Sequence, residues 1–168
     1  MRPPSRSGFR HFLILMRIAI GADHGGFPLN ELVIDELCAA GYDVTDFGTH
    51  DGSHPDDYPD YALWVGQAVQ SGEAELGILI CGSGVGACVA ANKLRGVRAA
   101  LCGDTYSAHQ SREHDDCNVL CLGARVVGTE LAMEIVRAFV LARFTGEDRH
   151  RRRLLKVAAI EKIESSKQ

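Results

Sequence analysis

Five short strand-like runs, four of them largely apolar, punctuate this chain, and stretches with helical spacing follow them. The runs are Arg17–Gly21, Asp43–Phe47, Glu75–Cys81, Val97–Cys102 and Asn118–Leu122. Where the apolar character is continuous, as in Ile18-Ala19-Ile20 and Ile78-Leu79-Ile80, it suits strands buried on both faces. The helical stretches are Pro28–Ala40, Tyr61–Gln70, Ala87–Lys93, Tyr106–His114 and Thr129–Phe144, then a last helix from Arg149 to about Ile163. In the first, Leu29, Leu32, Val33, Glu36, Leu37 and Ala40 recur at a 3.6-residue period, and Gly41 supplies the stop. Thr49–Pro59 reads as a polar loop. Strands alternating with helices predict βαβ units: an α/β chain with a parallel sheet of about five strands and helices on both faces. Ligands bind such sheets at the carboxyl ends of the strands. Asp23-His24, Cys81–Gly86 and Gly123-Ala124-Arg125 follow strands one, three and five, so they are predicted to meet on one edge.

The totals narrow the function. The 168 residues fit one domain, taken here as 16–163, with a tail over 164–168. Residues 1–15 are basic, lack acidic side chains and precede Met16. Their apolar part is too short for a convincing leader, so they are read as a disordered extension or an over-early start. A net charge of −4 argues against a nucleic-acid or membrane partner. No apolar run approaches the roughly 18 residues of a membrane span. Six scattered cysteines without a C-x-x-C pair predict buried free thiols in a reducing cytoplasm, with Cys81 the exception.

Cys81 ends the third strand and opens the turn Gly82-Ser83-Gly84-Val85-Gly86, which leads into a small-residue helix. Such a junction aims backbone N–H groups at one small space. The pattern is neither a dinucleotide fingerprint nor a P-loop. An ordinary thiol, with a pKa of ~8.5, is only a few per cent thiolate at pH 7. The N–H groups and helix end are expected to lower it by about one unit, which takes ~1.4 kcal/mol. A base beside an anion hole is the layout for removing a proton next to a carbonyl. A nucleotide-binding module without chemistry is the competing reading, but it needs no thiol at its anion site.

Other candidates are weaker. Asp23-His24 reads equally as a turn or cap, and His114 as a solvated helix end. His50, Asp51, His54, Asp56 and Asp57 lie in a solvated Gly/Pro/Asp loop without rigid ligand spacing, so no metal site is assigned there. Arg149 and Arg153 lie four apart, on one helix face, and can jointly grip a dianionic phosphate. Thr145 or Asp148 is the candidate cap of that helix.

Several ordered motifs carry a resemblance over about residues 16–163. They are Gly21-Ala22-Asp23-His24-Gly25-Gly26, Asp57-Tyr58-Pro59, Ile80–Gly86, Ala91-Asn92-Lys93, Ser111-Arg112-Glu113-His114, Gly123-Ala124-Arg125-Val126-Val127-Gly128 and Arg149-His150. The chain resembles the ribose-5-phosphate isomerase B family, which includes galactose-6-phosphate isomerase subunits and allose-6-phosphate isomerases. The resemblance implies a Rossmann-like α/β/α sandwich and a metal-free, cofactor-free aldose–ketose isomerase. It also implies a homodimer or dimer of dimers with shared sites. On that analogy His114, helped by Asp23, opens the sugar ring. Cys81 then moves a proton between C2 and C1, Ser83 assists at the hydroxyls, and the N–H groups from Gly82 to Gly86 hold the enediolate. His24, Arg125, Arg149 and Arg153 grip the phosphate, the last two from the partner subunit. Asp115 stands where many relatives have Asn; as a carboxylate it only accepts hydrogen bonds from the sugar. That keeps a six-carbon aldose 6-phosphate as the runner-up to ribose 5-phosphate.

Overall fold

The computed structural model describes residues 15–165. Of the extension expected over 1–15 and the tail over 164–168, only residues 15, 164 and 165 fall within it. The strands β1 (Arg17–Ala22), β2 (Asp43–Asp46), β3 (Leu76–Cys81), β4 (Ala99–Leu101) and β5 (Val119–Gly123) form one sheet, in the order β2-β1-β3-β5-β4. Every pairing is parallel. The helices are α1 (Phe27–Ala39), α2 (Tyr58–Ser71), α3 (Val85–Ala91), α4 (Thr105–Asp115), α5 (Thr129–Leu141) and α6 (Asp148–Ser165).

Alternate strand residues feed two cores. Ile18, Ile20, Ile78, Ile80, Leu120 and Leu122 pack under α1, α4 and α5, which add Leu29, Val33, Ala108, Ile135 and Phe139. On the opposite face the small Ala19 and Cys121, with Leu79, meet Ala62 and Val65 of α2 and Ala87 and Ala91 of α3. The result is a three-layer α/β/α sandwich. From β1 the chain steps outward to β2 and returns on the other side to β3, with α1 and α2 on opposite faces. That reversal of strand order opens a crevice at the carboxyl ends of β1 and β3.

Several boundaries differ from the sequence reading for local reasons. Helix α2 starts three residues early, at Tyr58, because Pro59 sits in its first turn, where a fixed φ and a missing N–H cost nothing. Strand β4 keeps only three residues. At its start, Asn118 Oδ1 accepts from the Arg98 N–H at 2.8 Å and Asn92 Oδ1 from the Ala99 N–H at 2.9 Å. Side-chain amides thus stand in for ladder partners at this edge. Helix α5 stops at Leu141, where Arg143 donates to the carbonyls of Val140 and Ala142. On α1 the predicted stripe is narrower, since Leu32 and Ala40 are exposed and Asn30 is buried instead.

All six cysteines are free, but not all are buried: Cys38 is exposed and Cys88 half-buried, so the expectation of buried thiols holds only in part. Burial pushes Cys102 up to about 11 and Cys117 up to about 12. Thr145 does not cap α6, because its hydroxyl donates to the Glu113 carbonyl at 3.1 Å; Asp148 lies in the first turn of that helix.

Candidate active site

Asp23 and Cys81 end neighbouring strands and meet in the crevice. The Cys81 Sγ donates to Asp23 Oδ2 at 2.9 Å, while Asp23 Oδ1 accepts from the Gly26 N–H at 2.9 Å. The carboxylate is therefore held from one side and offered to the thiol from the other. Both residues are nearly closed to solvent. Burial pushes the Cys81 thiol up, and Asp23, as acceptor and as anion, pushes the same way. The N–H groups of Gly84 and Ser83 pull it down without prevailing. This overturns the expectation of a lowered thiol: the loop amides are there, but a carboxylate sits closer than the sequence could show.

The glycine turn is shaped by what surrounds it. Gly84, the residue before α3, has φ +77°, and a Cβ there would lie 2.8 Å from the Leu122 backbone carbon. Only glycine satisfies both demands. A Cβ on Gly86 would strike the Tyr58 ring at 2.7 Å, so Tyr58 roofs the turn. The loop after β5 closes the other side: Ala124 N–H donates to the Cys81 carbonyl at 2.9 Å and Arg125 N–H to that of Gly82 at 3.0 Å. These bonds hold the Arg125 guanidinium over Gly82. Ser83 is exposed, and its Oγ accepts from the Val85 N–H at 3.3 Å. The first N–H groups of α3 have no partner within the helix, so the turn offers donors to an anion.

His24 and Arg125 line one cavity of about 200 Å³, together with Gly25, Pro28, Val127 and Thr129. A guanidinium and an imidazole at a small pocket beside the glycine turn suit a phosphate. Behind His24 stands Asp56, whose Oδ1 meets the His24 ring at Nδ1, 2.7 Å away. Asp56 was read from sequence as part of a solvated loop, yet it is two-thirds or more shielded and paired. Burial resists its ionisation, but the His24 N–H, the Tyr61 hydroxyl and the His24 ring together hold its carboxyl below the usual range. Its place directly before the Asp57-Tyr58-Pro59 motif was the available signal. The rest of that loop behaves as expected, with His54 and Asp51 paired at 2.7 Å in the open.

The remaining candidates stand elsewhere. Helix α4 starts at the carboxyl edge and runs back, so His114 at its end lies at the amino edge, away from Cys81. There the His114 ring stacks on His150, with centroids 4.2 Å apart. His150 is almost fully buried; burial, then the neighbouring His114, lowers its affinity for a proton. Arg149, paired with Glu147 at 2.8 Å, and Arg153 lie exposed on α6 nearby, as does Asp115 at the end of α4. One chain thus brings together Asp23, His24, Cys81, the Gly82–Gly86 turn and Arg125. It does not bring His114, Asp115, Arg149 or Arg153 to them.

Asp23, His24 and Asp56 place one ligand atom each within 4.8 Å of one another, a span a divalent ion can bridge. Those carboxylates are already spent on protein donors, Asp56 on His24 and Tyr61, and Asp23 on Cys81 and Gly26.

The chain matches a family described as Ribose/Galactose Isomerase over residues 18–157. It is 48% identical over 147 residues to ribose-5-phosphate isomerase B of Escherichia coli K12, covering 88% of this chain and 97% of that protein. It is 43% identical over 132 residues to D-erythrulose-4-phosphate isomerase of Pectobacterium atrosepticum, covering 79% and 87%. The solved structure of Clostridium thermocellum ribose-5-phosphate isomerase B superposes with a TM-score of 0.86 at 50% identity, covering 89% and 99%.

Proposed function

This chain belongs to the ribose/galactose isomerase family, and on that premise we propose that it interconverts ribose 5-phosphate and ribulose 5-phosphate. The observation that carries the reading is the buried Cys81 thiol, hydrogen-bonded to Asp23 at the mouth of the glycine turn, whose Ser83 and Gly84 N–H groups face the sulfur. His24 and Arg125 receive the phosphate in their shared cavity. His114 opens the sugar ring. As the open-chain aldose settles, the Cys81 proton passes to Asp23 Oδ2 and the thiolate takes the hydrogen from C2. The C2–H electrons form the C1=C2 bond, and the charge collects on O1, where the Gly82–Gly86 N–H groups hold it. Ser83 relays the O2 proton to O1, and the Cys81 proton returns to C1, leaving a ketone at C2. Each proton the isomerisation moves has a carrier among these side chains, so the reading is metal- and cofactor-independent.

The two separated groups of residues support a homodimer, alone or as half of a dimer of dimers. The carboxyl edge of one protomer meets His114, Asp115, Arg149 and Arg153 of the other. Helix α6 fits such a contact. Leu155, Val157 and Ile160 are more than half exposed, and a groove of about 1110 Å³ runs between α6 and the loop before β4. A cytoplasmic setting belongs to the same reading, since six unbridged thiols persist where the surroundings are reducing. Among the described residues, no helix is long and apolar enough to cross a membrane.

Ketose formation from four-, five- and six-carbon aldose phosphates, by the parent and by Cys81→Ala, tests the proposal. Ribose 5-phosphate is expected to be the best substrate. The variant should lose about 1,000-fold or more in kcat while keeping its affinity for the sugar phosphate within a few-fold. Preference for another chain length overturns the substrate, and turnover without the thiol overturns the mechanism.

A further inference from the structure

Asp56 enters none of the steps above, yet it is tied more tightly to the site than any other residue of its loop. One of its oxygens, Oδ1, accepts both the His24 backbone N–H at 2.8 Å and the His24 ring at Nδ1 at 2.7 Å. The other, Oδ2, accepts the Tyr61 hydroxyl at 2.6 Å. The side chains of His24 and Asp56 are only 33% and 22% exposed, so water competes poorly for these contacts. The Asp56 backbone N–H also lies 3.2 Å from Nδ1, so Asp56 meets this edge of the ring with both its main chain and its side chain and leaves the Nε2 edge for a ligand.

We propose that Asp56, braced by Tyr61, is a positioning residue that fixes the orientation of the His24 ring toward the substrate's phosphate. The inference rests on the reading of His24 as a phosphate ligand. A carboxylate behind a histidine fixes the orientation of the ring. Arg125 lines the same cavity, while Asp23, the preceding residue, already gives its oxygens to Cys81 and Gly26. Asp56 is the carboxylate left to hold the His24 ring. Tyr61, on the rigid helix α2, keeps that anion from following the loop.

The test compares the parent with Asp56→Ala, Asp56→Asn, Tyr61→Phe, His24→Gln and the double variant Asp56→Ala/His24→Gln. KM and kcat for ribose 5-phosphate are read beside the inhibition constant of inorganic phosphate and the ¹⁵N signals of the His24 ring. Asp56→Ala is expected to raise KM and the phosphate constant about ten-fold, the loss of one charge-assisted hydrogen bond, with kcat within about two-fold. Asp56→Asn and Tyr61→Phe, which preserve shape, should move both constants the same way by less. The His24 ring signals should shift in Asp56→Ala as Nδ1 loses its carboxylate partner, and the double variant should match His24→Gln alone. If His24→Gln leaves KM and the phosphate constant unchanged, the phosphate reading of His24 falls. If His24→Gln raises them but the Asp56 and Tyr61 variants do not, or if Asp56→Ala adds its full effect in the His24→Gln background, only the positioning role is overturned.

Discussion

A thiol that donates to a carboxylate is an awkward resting state for a base, and the awkwardness predicts how the site responds to pH. Burial and Asp23 raise Cys81, so the free thiolate is scarce near neutrality. The pair nevertheless holds one proton between two acceptors 2.9 Å apart. Shifting that proton from sulfur to Asp23 Oδ2 changes no overall charge and takes nothing from solvent, so its extent is independent of pH while the pair keeps one proton. Asp23→Asn removes the acceptor, and Cys81 must then lose its proton to water. With the anion gone, the thiol's pKa moves down relative to the parent, but the reactive fraction now grows with pH. The ratio of kcat/KM, Asp23→Asn over parent, should start about 100-fold low near neutrality and climb about ten-fold per pH unit until the thiol is ionised. Taking the ratio cancels every group the two proteins share. A flat ratio across pH 6–8.5 rules out proton transfer to Asp23. Sequence reading found both residues; their contact, across a separation of 58 positions, depends on β1 and β3 being neighbours.

At the scale of elements, the legible part was whatever periodicity or composition speaks to directly. Apolar runs marked four of the five strands, and the turn after β3 announced itself through Cys81 and three glycines. Periodicity says nothing about neighbours, so the insertion of β5 between β3 and β4 was not readable. That arrangement brings the Arg125 loop against the Cys81 turn. Edge effects blurred β4, and Asp56 was lost among loop residues of the same composition. Helix α6 was half legible: its basic run stands out, whereas Leu155, Val157 and Ile160 on the same helix were not read as a surface. Exposed apolar side chains on a charged helix suit the proposed subunit contact. Leu155→Asp with Ile160→Asp should therefore leave a folded monomer, by sedimentation and circular dichroism, with activity reduced at least about 100-fold because burying two unpaired charges breaks the contact. An active monomer would detach α6 from function, and an unchanged dimer would place the interface elsewhere.

For the whole molecule, the parallel sheet imposes a polarity that one copy of the chain cannot overcome. Strand ends collect the thiol, the turn and Arg125 at the carboxyl edge, while a helix that starts there and runs back delivers its last residue, His114, to the amino edge. At 1.5 Å per residue, an eleven-residue α4 separates its ends by roughly 16 Å, far beyond hydrogen-bonding reach. The homodimer proposed above would answer this by giving each carboxyl edge the other copy's amino edge. Two inactive chains then become complementary. In a dimer of Cys81→Ala with His114→Asn, one site carries both lesions and the other carries neither. Unfolding and refolding an equal mixture makes half of the dimers mixed, so about a quarter of the parental activity should return, against almost none for either variant refolded alone. Substituting Arg153→Ala for His114→Asn should give the same recovery in substrate affinity. If the mixture stays as inactive as its components although mass spectrometry shows mixed dimers, His114 and Cys81 serve the same chain's site, and the separation across the sheet has another resolution.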